Sequence, residues 1–226
     1  MLSLKQALGL NNIKSLESWT PNSEGKVSAW YQADTGIVGE VPGGVSSWAD
    51  SANNHDMVQL DTSEQPTRAG VGTGITFDGI DDNLQTTVQM GFSGAFTIGI
   101  KLNIAAAGGI LIGDNTETGE FFKLFSSKVL RIKIDNATAE VELDSGTWGD
   151  GYMVVTRNAS NVITLWWNGV QQTTATPTLS GTANIDTIGV RKTDLNPYDG
   201  TMYEIQIFGT ESTALTTNVN NRLANL

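Results

Sequence analysis

From Val27 onward, apolar and polar positions alternate in short runs broken by turn-forming residues. In the stretch from Val129 to Ile134, Val129, Arg131 and Lys133 fall on one face while Leu130, Ile132 and Ile134 fall on the other. That period of two is the signature of a half-buried strand. Runs of this kind predict strands at Val27–Gln32, Gly74–Phe77, Leu84–Gln89, Phe96–Ile104, Gly109–Ile112 and Phe121–Ser126. They continue at Val129–Ile134, Glu140–Leu143, Tyr152–Thr156, Val162–Trp167, Ile185–Val190 and Met202–Phe208. Asp78-Gly79, Ser145-Gly146, Asn168-Gly169 and Asp199-Gly200 supply the turns between them. About a dozen strands at this spacing predict an all-β fold, a two-sheet antiparallel jelly-roll β-sandwich with short terminal helices. A helical pattern closes the chain at Ser212–Ala224. No internal repeat and no linker interrupts residues 27–226, so residues 25–226 read as one sandwich domain.

Residues 1–24 differ in character and read as an apolar N-terminal arm. Ser3 and Gln6 are spaced as a capping box, Leu4, Ala7 and Leu8 share a helical face, and Gly9 can end the turn. Ile13 and Leu16 repeat the pattern before Trp19-Thr20-Pro21. Leu4, Leu8, Ile13 and Leu16 either pack on their own domain or fasten the chain to a neighbouring subunit, because that much apolar surface calls for cover.

Composition narrows the partners. With 24 acidic against 13 basic residues the formal charge is −11, which repels phosphate backbones and anionic lipid, so neither nucleic acid nor a membrane is expected as a partner. The N-terminus lacks the basic start and unbroken apolar core of a signal peptide, and no apolar run approaches the roughly 20 residues that span a bilayer. The absence of cysteine excludes disulfides, thiol catalysis and cysteine-ligated zinc, and fits synthesis in a reducing cytoplasm.

Four segments, in order, carry a family resemblance. They are GVSSWADSANNHDMVQ with the later Gln65-Pro66-Thr67; GITFDGIDDNLQT; GTWGDGYMVVTRNASNVITLWWNGVQ; and the closing DGTMYEIQIFGTESTALTTNVNNRLANL. Together they cover residues about 44–226 and resemble the laminin-G-like branch of the concanavalin A-like lectin and glucanase domains. The resemblance implies the same sandwich but no single activity, since this fold serves lectins, hydrolases, adhesion modules and virion components. Chains that join such a domain to an apolar N-terminal arm resemble phage virion proteins. The function expected first is therefore a non-enzymatic virion surface component, a capsid decoration or tail appendage made in the host cytoplasm, with other virion subunits as partners. The alternative is a carbohydrate-binding module or adhesin with surface glycans as partners; a glycoside hydrolase comes last.

Each chemically suggestive motif has a plainer explanation. Glu140, Glu142 and Asp144 share one strand face, but laminarinase-like relatives use Glu-x-Asp-x-Glu, and the order here differs at two positions. A solvated polar face explains them. Asp78, Asp81 and Asp82 could hold calcium, a hard cation that takes six to eight oxygens, yet Asp-Gly and Asp-Asn also simply build tight turns. No cofactor is expected unless that cluster binds calcium; Asp199 and its loop could add ligands if they fold alongside. The resemblance places Trp30, Trp48 and Trp148 at the family's core-like positions. Trp166 and Trp167 are adjacent on one strand, hence point to opposite faces, and one of them is the candidate sugar-stacking surface. His55, the single histidine, sits in a turn, and no metal site can be built on paired histidines.

Overall fold

The computed structural model describes residues 19–39, 42–115, 120–191 and 196–226. The arm residues Leu4, Leu8, Ile13 and Leu16 lie outside the described residues. Among the described residues the chain forms seventeen strands, a 3-10 turn at Pro21–Ser23 and one α-helix. In chain order the strands are β1 (Val27–Gln32), β2 (Ile37–Gly39), β3 (Gly43–Trp48), β4 (Met57–Val58), β5 (Thr67–Arg68), β6 (Ile75–Asp78), β7 (Leu84–Phe92), β8 (Phe96–Ile104) and β9 (Ile110–Gly113). They continue as β10 (Phe121–Leu124), β11 (Val129–Ile134), β12 (Ala137–Glu142), β13 (Asp150–Arg157), β14 (Ile163–Trp167), β15 (Val170–Gln171), β16 (Ala183–Ile188) and β17 (Asp199–Phe208), before α1 (Thr213–Ala224).

The strands pair antiparallel in two layers. The first runs β15–β14–β13–β8–β17, and the far side of β17 is shared by β1, along Glu204–Phe208, and by β6 with β5 beyond it, along Asp199–Met202. The second runs β2–β3–β4–β7–β16–β9–β10–β11–β12. β3 belongs to both: Gly43 and Gly44 pair with β5, while Ser47 and Trp48 pair with β4. The sandwich is therefore hydrogen-bonded around one edge. All the expected strands are present, with ends shifted by a few residues; Ile185–Val190 becomes Ala183–Ile188 because Gly189 turns the chain at φ +89°.

Alternation places the core between the layers. Phe96, Ile98, Ile100 and Leu102 of β8 face Leu130, Ile132 and Ile134 of β11 and their neighbours in one buried cluster with Tyr31, Trp48, Phe77 and Phe122. A second, smaller cluster lies on the outer face of the first sheet, where Leu215, Val219 and Leu223 of α1 cover Val154 and Phe208. Ser212 Oγ caps the helix by accepting the Leu215 N–H at 3.1 Å. Gly99 makes the seat possible, since a Cβ there would stand 2.5 Å from Val219 Cγ1 and 3.0 Å from Leu223 Cδ1. Arg222 pins the far end with a two-pronged bond to Glu204, 2.5 and 2.9 Å, and its guanidinium lies 4.7 Å from the centre of the Trp30 ring.

Candidate functional site

The register of the first sheet aligns Gln171, Trp166, Val154, Gly99, Gln206 and Trp30 in one row across its outer face. Helix α1 lies over the middle of this row, on Val154 and Gly99, with Trp166 partly buried against its side and Gln171 exposed beyond. The result is a groove of about 400 Å³ between the helix and the β14–β15 hairpin. Its size falls in the range of small-ligand sites. Tyr152 and Trp166 supply an aromatic wall, Gln171 and Gly169 the hairpin rim, and Thr213, Thr216, Thr217, Asn220 and Glu211 the helix side.

Local structure fixes each wall. Asn168 and Gly169 carry positive φ, 49° and 78°, as a two-residue hairpin turn requires, and the Asn168 side-chain oxygen accepts the Tyr152 N–H at 2.9 Å. Burial pushes the Tyr152 phenol above its ordinary range, so it stays a neutral hydroxyl. On the helix, Asn220 Nδ2 donates to the Thr216 carbonyl at 2.9 Å. The Asn220 Oδ1 and Thr216 Oγ1 atoms are buried and have no hydrogen-bond partner. A buried polar atom left unmet is costly and unusual in a folded protein.

The structure places the residues singled out from sequence as follows. Trp166 and Trp167 do point to opposite faces, but neither is fully exposed. Trp167 is partly buried and packs on the main core, edge-on to Trp148 with ring centres 5.2 Å apart. Trp166 is the half-buried groove wall. Asp78, Asp81 and Asp82 bring carboxylate oxygens within 4.8 Å of one another, and Asp199 pairs in register with Asp78, so the two acidic loops do meet. The turn itself uses these groups: Asp78 Oδ1 accepts the Ile80 N–H at 2.8 Å, and Asp82 Oδ2 accepts the Asp78 N–H at 2.9 Å. Burial pushes the Asp82 carboxyl up to about 6.

The acids of β12 and the turn after it are committed to partners. Glu140 bonds Arg131 across the strand pair at 2.6 Å, and Glu142 pairs with Lys128. Asp144 accepts from the backbone and hydroxyls of Thr173 and Thr174, which hold its carboxyl down at about 2, the opposite of the raised value a general acid needs. His55 lies in its turn with Nδ1 3.4 Å from Asp50. Sequence reasoning missed the helix side of the groove, Thr216 and Asn220, and a buried carboxyl cluster on the second sheet. There Asp114 takes a bond from Gln89 at 3.0 Å, Asp186 takes the Asn115 N–H at 2.7 Å, and burial raises both Glu120 and Asp186.

No protein-family model matches the sequence, and no curated protein matches it. Solved structures do share its architecture, that of an antiparallel β-sandwich. The binding domain of Paraclostridial Mosquitocidal Protein 1 superposes with a TM-score of 0.61 at 12% identity, over 90% of this chain and 52% of that one. Domain 4 of AbnA, a GH43 extracellular arabinanase from Geobacillus stearothermophilus in complex with arabinotriose, gives 0.56 at 14% identity, over 88% and 98%. Trypanosoma rangeli sialidase gives 0.57 at 9% identity, over 89% of this chain but 33% of its own length, so this chain spans about a third of the sialidase. At such identities the likeness is one of fold.

Proposed function

We propose that the protein is a non-catalytic carbohydrate-binding β-sandwich. The observation that carries this reading is the groove beside α1, where Tyr152 and Trp166 form an aromatic wall facing amide and hydroxyl groups. An aromatic face takes the C–H face of a sugar ring, and amides and hydroxyls exchange hydrogen bonds with its rim. Two neighbours of the fold support it by their own roles: one is named a binding domain, and the other holds arabinotriose. The commitment of Glu140, Glu142 and Asp144 to ion pairs and turn bonds argues against hydrolysis by this stretch. A place on a virion surface, attached through Leu4, Leu8, Ile13 and Leu16, is a further proposal that rests on the sequence pattern alone, and glycan binding stands ahead of it.

A glycan microarray probed with the whole chain, followed by calorimetry on the hits, tests the reading. Binding is expected to weaken by tenfold or more in Trp166→Ala and to weaken measurably in Gln171→Ala, whose side chain is exposed and whose loss leaves the fold intact. Absence of binding to every immobilised glycan would sink the proposal.

A further inference from the structure

Resting on that reading, we infer that the site takes an oligosaccharide along its length rather than a single terminal sugar, because the groove beside α1 continues past Tyr152 and Lys101 into a second hollow. On the outer face of the first sheet, Tyr152 of β13, Lys101 of β8 and Glu204 of β17 stand side by side in register. The second hollow, of about 390 Å³, opens beside this row and is lined by Lys101, Asp150, Tyr203 and Asp34. Lys101 joins the two. It lines the hollow, and its ammonium lies 5.8 Å over the ring of Tyr152, which lines the groove. From Trp166 on β14 to Tyr203 on β17 is three strand spacings of about 4.8 Å, roughly 14 Å, which is more than one sugar ring covers.

A bulge in β17 equips the second hollow. Met202 pairs with Leu102 and Glu204 with Lys101, so Tyr203 is an extra residue with no partner on β8. Met202 and Ile205 both face the core, and the bulge leaves Tyr203 and Glu204 together on the outer face. Bulges re-aim side chains in this way and gather beside functional sites. The Tyr203 carbonyl accepts the Ala33 N–H at 2.8 Å, which brings the turn that carries Asp34 alongside. Trp166, Tyr152 and Tyr203 thus set three half-buried aromatic side chains along one path. Of the charged groups in the hollow, Glu204 is held by Arg222, but Lys101, Asp34 and Asp150 enter no ion pair among the described residues. Asp34 and Asp150 are exposed and Lys101 is partly so, and a ligand can reach them. An ammonium donates to sugar hydroxyls and ring oxygens, and a carboxylate accepts from hydroxyls, so the second hollow offers both halves of sugar recognition.

Ligand length supplies the test. The probes are arabino-, xylo-, gluco-, manno- and galacturono-oligosaccharides, each as a disaccharide and a hexasaccharide, titrated by calorimetry into the wild type, Trp166→Ala, Tyr203→Ala and Asp150→Ala. The wild type is expected to bind the hexasaccharide of its preferred series at least about tenfold more tightly than the disaccharide, the value of one or two further hydrogen bonds. Tyr203→Ala and Asp150→Ala are expected to lose most of that gain and keep the disaccharide, whereas Trp166→Ala weakens both. Asp150 is exposed, so its variant is expected to melt with the wild type, and it carries the test if Tyr203→Ala unfolds. Equal affinity for both lengths, or a gain that survives in Tyr203→Ala and Asp150→Ala alike, overturns the inference while leaving a carbohydrate-binding sandwich. No binding to any probe of either length overturns the carbohydrate reading itself.

Discussion

Arg157 is fully buried at the end of β13, and its guanidinium meets backbone carbonyls rather than a carboxylate. It donates to Phe92 at 2.6 Å, Gly94 at 2.8 Å and Gly181 at 2.9 Å, and so ties the β7–β8 turn to the loop before β16. Lysine offers a single point of donation where this fork reaches four carbonyls, that of Leu179 at 3.4 Å included. Arg157→Lys is expected to cost roughly 2–4 kcal/mol, because at least one buried carbonyl loses its donor; the urea midpoint reports it. Asp144 performs the same service at the surface for Thr173 and Thr174. Its folded value of about 2 lies below the ordinary 3.8, so its contribution is complete above about pH 5 and is lost as the pH falls through 2. Asp144→Asn should melt below the wild type at pH 7, and the gap should close between pH 4 and pH 2.

At the scale of elements, α1 shows what docks a weakly amphipathic helix. Three apolar side chains and the Arg222–Glu204 fork hold it, and the bare backbone of Gly99 lets it approach. Gly99→Ala pushes a methyl into Val219 and should destabilise by about 1–3 kcal/mol, with a matching drop in melting temperature. Because the helix forms one side of the groove, the same change should weaken any ligand bound there. The strands were legible where burial is one-sided: Val129–Ile134 alternates in the structure as in the sequence. β4, β5 and β15 were not, being two residues each, too short to show a period and held by partners distant along the chain. β3 escaped notice because its Gly-Gly start reads as a turn, although those glycines carry the strand from one layer to the other. The site was half visible. Adjacent tryptophans on a strand announce that one must face outward, but nothing local says that Thr216 and Asn220 will stand opposite it. That depends on where the helix lands.

Across the whole molecule, the strands of the sandwich begin at Val27, and β1 closes the first sheet against β17. Removal of residues 1–18 is expected to leave the far-ultraviolet β spectrum intact and the melting temperature within a few degrees of the full chain. Loss of cooperative melting would show instead that the arm belongs to the core, and that Leu4, Leu8, Ile13 and Leu16 serve the fold rather than a partner.

The position of β17 in the first sheet also sets the order in which the molecule can be made. Val27 pairs with Phe208 and Gln32 with Glu204, while β6 and β8 flank the same late strand. During synthesis β1, β6 and β8 leave the ribosome well before the strand that joins them, and each presents an open, hydrogen-bonding edge until it arrives. Sequence separations this large slow folding, and unpaired edges invite pairing with other nascent chains. The protein should therefore depend on chaperones at the ribosome more than its final stability suggests, and chains stalled before Asp199 should be found bound to them or aggregated.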